Sequence, residues 1–255
     1  MRSEQEMMKL ILEFARKKDD VRAVYMNGSH FGEIAVMQEP DDRDFWDNDA
    51  QPERSYAYLL QFVDGNRIDL TFQSLEAAKE NFGKDSLTVL LLDKDHAFPS
   101  LPSSDDSSYW VKKPTQKEFS RCCNEFWWVS CYAAKGIWRN EPTYALEMMN
   151  TAIRPQLYKM LCWYGGILTS FRETAGKCGK YLPKLLPEKD WDAYLATYPS
   201  AEKSALVEAL RNMLNLFRKT ARLVAKEFYF TYNENEEAGS MQHTENLLHN
   251  KLPHS

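Results

Sequence analysis

The sequence predicts an α+β protein whose first half mixes short strands with helices and whose second half is helical throughout. Three observations carry that reading. Strand-like alternation and turn dipeptides lie before Lys112, while apolar residues at three-to-four spacing dominate after Pro114. Between them runs a polar stretch, Asp93 to Ser108, rich in Pro, Ser and Asp. The expected units are therefore residues 1–112 and 113–255.

Glu4 to Lys17 opens the chain with apolar residues at helical spacing, Met7, Met8, Leu10, Ile11, Phe14 and Ala15, and Ser3 with Glu6 could form its capping box. Val21 to Asn27 alternates as a strand and runs into Gly28-Ser29. Ile34 to Met37 is a second short strand, and Pro40 to Pro52 an acidic turn. Ser55 to Val63 and Arg67 to Phe72 alternate on either side of Asp64-Gly65, which predicts a hairpin with Asp69 near the middle of its second strand. Leu75 to Phe82 reads as a short helix and Leu87 to Leu92 as a strand. After the boundary, Thr115 to Trp138 is a long helix that buries Phe119, Cys122, Cys123, Phe126, Trp127 and Ser130, with Thr115 and Glu118 as its capping box. Pro142 to Gly165, Trp191 to Tyr198 and Ala201 to Tyr232 repeat the helical pattern. Lys180 to Lys189 is a connector, and Asn233 to Ser255 a polar, loose tail.

Composition narrows the function classes. Of the 255 residues 44% are apolar, and seven Trp, thirteen Tyr and thirteen Phe can fill real cores, so the chain is globular. A net charge of -5 argues against nucleic acid as a partner and suits a cationic small molecule better. No run reaches the roughly 18 apolar residues of a membrane span, and the start shows no signal-peptide core. The five cysteines lack C-x-x-C spacing, which predicts buried, reduced thiols in a cytoplasmic protein.

Some residues could carry chemistry. Gly28-Ser29 at a strand end could let backbone and hydroxyl approach a phosphate, although such dipeptides are ordinary turns. Asp69, between Ile68 and Leu70, must point away from them, toward solvent, a cleft or a metal. Further blocks are Arg22-Ala23-Val24-Tyr25-Met26-Asn27-Gly28-Ser29, Val36-Met37-Gln38-Glu39-Pro40-Asp41-Asp42 and Phe62-Val63-Asp64-Gly65-Asn66-Arg67-Ile68-Asp69-Leu70-Thr71. With Tyr109-Trp110-Val111-Lys112-Lys113-Pro114-Thr115, Cys122-Cys123-Asn124-Glu125-Phe126-Trp127-Trp128, Lys135-Gly136 and Ile153-Arg154-Pro155, they resemble the aminoglycoside 6-adenylyltransferase (streptomycin adenylyltransferase) family, in family order over most of the chain.

The resemblance implies a nucleotidyltransferase-like mixed-sheet domain followed by a helical substrate-binding domain. It implies transfer of AMP from ATP to a hydroxyl of an aminoglycoside such as streptomycin, with Mg²⁺ as cofactor and resistance to the drug as the outcome. It sets Gly28 and Ser29 at the triphosphate and makes Asp69 a catalytic, metal-binding carboxylate. Lys135 and Arg139, four apart on one helix, could reach phosphate or simply face solvent. Glu125, flanked by bulky residues, is expected to need a partner: a substrate cation or an internal Lys or Arg. Trp127, Trp128 and Trp138 could stack on sugar or guanidinium faces, or belong to the core. One departure stands out. Family members follow Gly-Ser-Arg with a loop and an Asp-x-Asp strand, whereas Gly28-Ser29-His30 runs straight into Phe31-Gly32-Glu33, a point matching beyond that strand. Asp42 and Asp44 have the spacing of the pair but fall in a later loop, so weak or absent transfer is the expectation.

Overall fold

Alternation of side chains in the first half produces β-ladders. The structure, a computed structural model, describes residues 4–26, 34–38, 55–63, 65 and 67–249. It divides into two compact units, Met1–Ser108 and Tyr109–Ser255.

In the first unit, helix α1 (Glu4–Lys17) precedes strand β1 (Ala23–Met26), then β2 (Ile34–Gln38), β3 (Ser55–Phe62), β4 (Arg67–Gln73), helix α2 (Leu75–Asn81) and β5 (Val89–Asp93). All the described pairings are antiparallel: β1 with β5 in one ladder, and β2-β3-β4 in the other. The hairpin register sets Leu59 opposite Asp69 and Tyr58 opposite Leu70. At the turn Gly65 takes φ +86°, a conformation that costs glycine nothing, and its amide donates to the Phe62 carbonyl at 3.0 Å. Period two then separates the faces: Leu60 and Phe62 pack with Tyr58 and Leu70, while Asp69 and Thr71 are exposed. The proposed Ser3 cap and the acidic turn lie outside the described residues.

The two ladders are tied by side chains. Tyr25 Oη donates to Gln73 Oε1 at 2.6 Å, and its ring meets Phe82 edge-on at 5.5 Å. Lys94 Nζ donates to the carbonyls of Ala15 and Lys18 at 2.9 and 2.8 Å, which satisfies the end of α1 and places a cation at its negative pole.

The second unit is organised around α3 (Gln116–Trp138). Its capping box forms as the residue pattern expects: Thr115 Oγ1 accepts from the Glu118 amide, and Glu118 accepts from the Thr115 amide at 2.8 Å. The stripe Phe119, Cys122, Cys123, Phe126, Trp127 and Ser130 is buried, and Phe126 stacks on Phe217 at 3.6 Å. Where the spacing predicts one helix over Pro142 to Gly165, the chain forms α4 (Pro142–Glu147), a wide π-turn (Met148–Ile153) and α5 (Arg154–Leu168). Pro155 has no amide to close an ordinary turn on Thr151, and the Arg154 amide reaches back five residues to Met149. The connector holds a short α6 (Leu182–Leu185), followed by α7 (Glu188–Leu195) and α8 (Lys203–Phe228).

The tail is a correction. Glu234–Leu248 is helix α9, packed on α3 and α8, not a loose segment. Its inward positions are mostly polar, Glu237, Ser240 and Thr244 with Met241 and Leu247, so no apolar stripe announced it. Glu237 is 2% exposed and is held by Arg218, Arg222 and the Tyr232 hydroxyl.

Candidate functional site

A helix repeats every 3.6 residues, so burying one stripe of α3 necessarily presents the opposite one. Successive steps of three and four set Arg121, Glu125, Trp128, Tyr132, Lys135 and Arg139 along that outer line, and all six are exposed. Four of the candidates that the sequence offers in the second unit, Glu125, Trp128, Lys135 and Arg139, therefore fall on one face of one helix. Trp128 is 63% exposed and Tyr132 38%, and their rings meet edge-on at 5.9 Å. The result is a cation, a carboxylate, two aromatic faces and two further cations in sequence along about five turns.

Two expectations change. Glu125 is not buried: its bulky neighbours Phe126 and Trp127 point inward, and the carboxylate stands on the wet side with no cation paired to it among the described residues. The tryptophans also separate. Trp127 is 1% exposed and its Nε1 donates to the Tyr232 hydroxyl at 3.1 Å; Trp138 packs against the core; only Trp128 of the three offers an open face. Sequence reasoning missed Arg121 and Tyr132, whose signal was spacing: each is four residues from a residue already singled out.

The face is held from behind. Gly136 lies where a Cβ would come within 2.7 Å of the Tyr144 ring and 3.2 Å of the Ala145 backbone, so only glycine lets α4 pack this closely. On the other flank, the Ser240 hydroxyl of α9 donates to the Trp127 carbonyl at 2.6 Å, and Asn124 donates to Glu236 at 2.7 Å. Lys135 sits in the last turn of α3 and Arg139 caps it, so both cations also complement the helix's negative end.

In the first unit, Asp69 is exposed on the face of the hairpin opposite Leu70. Gly28 and Ser29 lie outside the described residues, as do Asp42 and Asp44. Among the described residues no three His, Cys, Asp or Glu side chains gather as a metal site. Asp69 with its described neighbours does not supply the carboxylate set that a pair of divalent cations needs.

The expected burial of the thiols holds for Cys122 and Cys123 only; Cys131 and Cys162 are half-buried, and Cys178 is exposed. Burial pushes Cys122 up to about 12 and Cys162 up to about 11, and raises Cys123 as well.

Comparison with known proteins adds a family pattern. The family model for streptomycin adenylyltransferase matches residues 1–30 and 30–247, two segments that meet at His30. An aminoglycoside 6-adenylyltransferase of Bacillus subtilis is 31% identical over 284 residues, covering 97% of this chain and 98% of the relative. Its Staphylococcus aureus counterpart is 34% identical over 233 residues, 78% of this chain and 82% of its own length. A solved structure of an aminoglycoside 6-adenyltransferase from Bacillus subtilis aligns with a TM-score of 0.53 at 29% identity, covering 97% of this chain and 99% of that one. The 284-residue alignment is longer than this chain's 255 residues, so that relative carries residues with no counterpart here.

Proposed function

The chain belongs to the streptomycin adenylyltransferase family, and from that premise we propose that it binds ATP and an aminoglycoside and transfers AMP slowly to a hydroxyl of the drug. The observation that carries the reading is the outer stripe of α3. A polycationic, hydroxyl-rich sugar suits a surface that offers the Glu125 carboxylate and the open ring of Trp128, with Tyr132 beside it. Lys135 and Arg139, one and two turns further on, suit phosphate oxygens. Streptomycin is the substrate to test first, because two of its groups are guanidinium cations, which match a carboxylate and an aromatic face.

The reaction balances simply. The drug's hydroxyl oxygen bonds to the α-phosphorus, the bond from that phosphorus to the bridging oxygen breaks, and pyrophosphate leaves. Asp69 receives the hydroxyl proton or orients that hydroxyl. Mg²⁺, when bound, would spread the charge that develops on the phosphates. Gly28 and Ser29 complete the reading as donors to the triphosphate.

The slow rate follows from the break at His30. Family members place an Asp-x-Asp strand after this point, and this chain continues directly to Phe31. Without that pair, a single carboxylate holds divalent cations poorly against their hydration. The same break favours a second reading, a relative that binds both substrates without turnover.

Purified protein with ATP, Mg²⁺ and streptomycin separates the two. We expect saturable streptomycin binding by calorimetry and a slow gain of one adenylyl group by mass spectrometry, lost in Asp69→Asn by about 100-fold or more. Binding with no adenylylation after long incubation decides for the second reading. Binding of neither substrate would sink both.

A further inference from the structure

Helix α5 carries its own stripe. Pro155, Tyr158, Lys159, Cys162 and Trp163 fall at three-to-four spacing and form one wall of a groove of about 400 Å³, wholly within the second unit. The facing wall is Val111, Lys112 and Lys113, fixed where the Val111 amide donates to the Glu173 carbonyl at 3.0 Å. Glu118 completes the lining.

The charge in this groove runs against the rest of the molecule. In a chain of net charge -5, three lysines share the lining with a single acid. Among the described residues Lys112, Lys113 and Lys159 join no ion pair; Lys113 lies 5.6 Å over the Phe171 ring and Lys159 5.2 Å over that of Trp163. Glu118 is the one counter-charge: Oε2 accepts from both the amide and the hydroxyl of Thr115 at 2.8 Å, and the carboxylate also interacts with Lys159. The remaining polar groups add no negative charge at neutral pH: burial holds Cys162 up to about 11 and raises Tyr158 further. With one acid against three ammonium groups, the groove keeps an excess of positive charge that favours an anion. Lysine on a flexible stem is a point-charge binder of phosphate.

We propose that the groove between residues 111–113 and α5 is a binding site for a phosphate-type anion, held by Lys112, Lys113 and Lys159. The same chemistry could come from free phosphate or pyrophosphate, or from a nucleotide whose base lies against the apolar wall of Tyr158 and Trp163. The site shares no residue with the outer stripe of α3, and it repels the cationic drug proposed for that stripe.

Titration of the full chain at low ionic strength with inorganic phosphate, pyrophosphate and AMP, followed by calorimetry and ³¹P NMR, tests this. Saturable binding is expected, tighter for pyrophosphate than for phosphate, weakened by salt, and reduced about tenfold for each lysine replaced by glutamine. The double variant Lys135→Gln/Arg139→Gln removes only the phosphate contacts proposed on α3, and the binding that depends on the three groove lysines should persist in it, so failure of the proposed function would leave this result intact. AMP binding more tightly than pyrophosphate identifies a nucleotide as the source; equal or weaker binding identifies free phosphate. Three results would each overturn the proposal: no saturable binding of any probe, binding undiminished in Lys112→Gln/Lys113→Gln/Lys159→Gln, or loss only in the Lys135/Arg139 variant.

Discussion

Replacing Trp128 with alanine removes a ring that is 63% exposed, so stability should change by no more than about 0.5 kcal/mol while streptomycin affinity falls. The neighbouring change Trp127→Ala deletes a ring that is 1% exposed, meets Phe217 edge-on at 5.5 Å and donates to Tyr232; its cost should be about 3–5 kcal/mol. Thermal unfolding and calorimetric titration of the two variants check the pair, and equal destabilisation would contradict the assignment of faces. A step of one along a helix turns the side chain by about 100°, so the two rings must take different faces, and packing decides which of those faces is dry. Glu125 is exposed although Phe126 and Trp127 follow it. Large residues on either side in sequence do not bury a side chain when they occupy a different face.

Helix α9 is anchored by one buried carboxylate, Glu237. Burial works against ionisation of Glu237, but hydrogen bonds from Arg222 and Tyr232 and the charges of Arg222 and Arg218 outweigh it, so its pKa falls below the ordinary glutamate value. A lowered folded pKa means that the stabilisation is complete above the unfolded value of about 4.3 and is lost as pH falls through the folded value. Acid should therefore release α9 from α3 below about pH 4, and Glu237→Gln should release it at neutral pH at a cost of about 2 kcal/mol. Amide exchange across Glu234–Leu248 and the fluorescence of Trp127 report the release; protection that stays flat down to pH 2 would refute it. Other elements were legible because their signals are local. The Thr115–Glu118 capping box uses side chains three residues apart, and the turn at Gly65 follows from one glycine that takes a positive φ. The anchors of α9 are Arg218 and Arg222 on another helix, and no window of its own sequence contains them.

The larger buried cluster lies entirely in the second unit, where α3, α5 and α8 pack Phe119, Phe126, Trp127, Leu161, Leu210 and Phe217 nearly free of water. The described cluster on the hairpin is small, Leu60 and Phe62 with Tyr58 and Leu70. Burial of apolar surface scales the stability of a unit, so residues 109–255 expressed alone should fold and melt cooperatively. In the full chain, amides of the first unit should exchange before those of α3 and α8. Circular dichroism of the fragment decides the first point, and absence of a cooperative transition would refute it. The sequence by itself determined the order of strands and helices, the change of character after Pro114, the family and the departure at His30, because periodicity, turn dipeptides and motif order are properties of the chain. The tertiary structure decided which tryptophan is open, that Arg121 and Tyr132 join Glu125, Trp128, Lys135 and Arg139 on one face, that the tail is a docked helix, and that three lysines from two segments share a groove. Those facts depend on which surfaces packing removes from water, and that is settled only when distant segments meet.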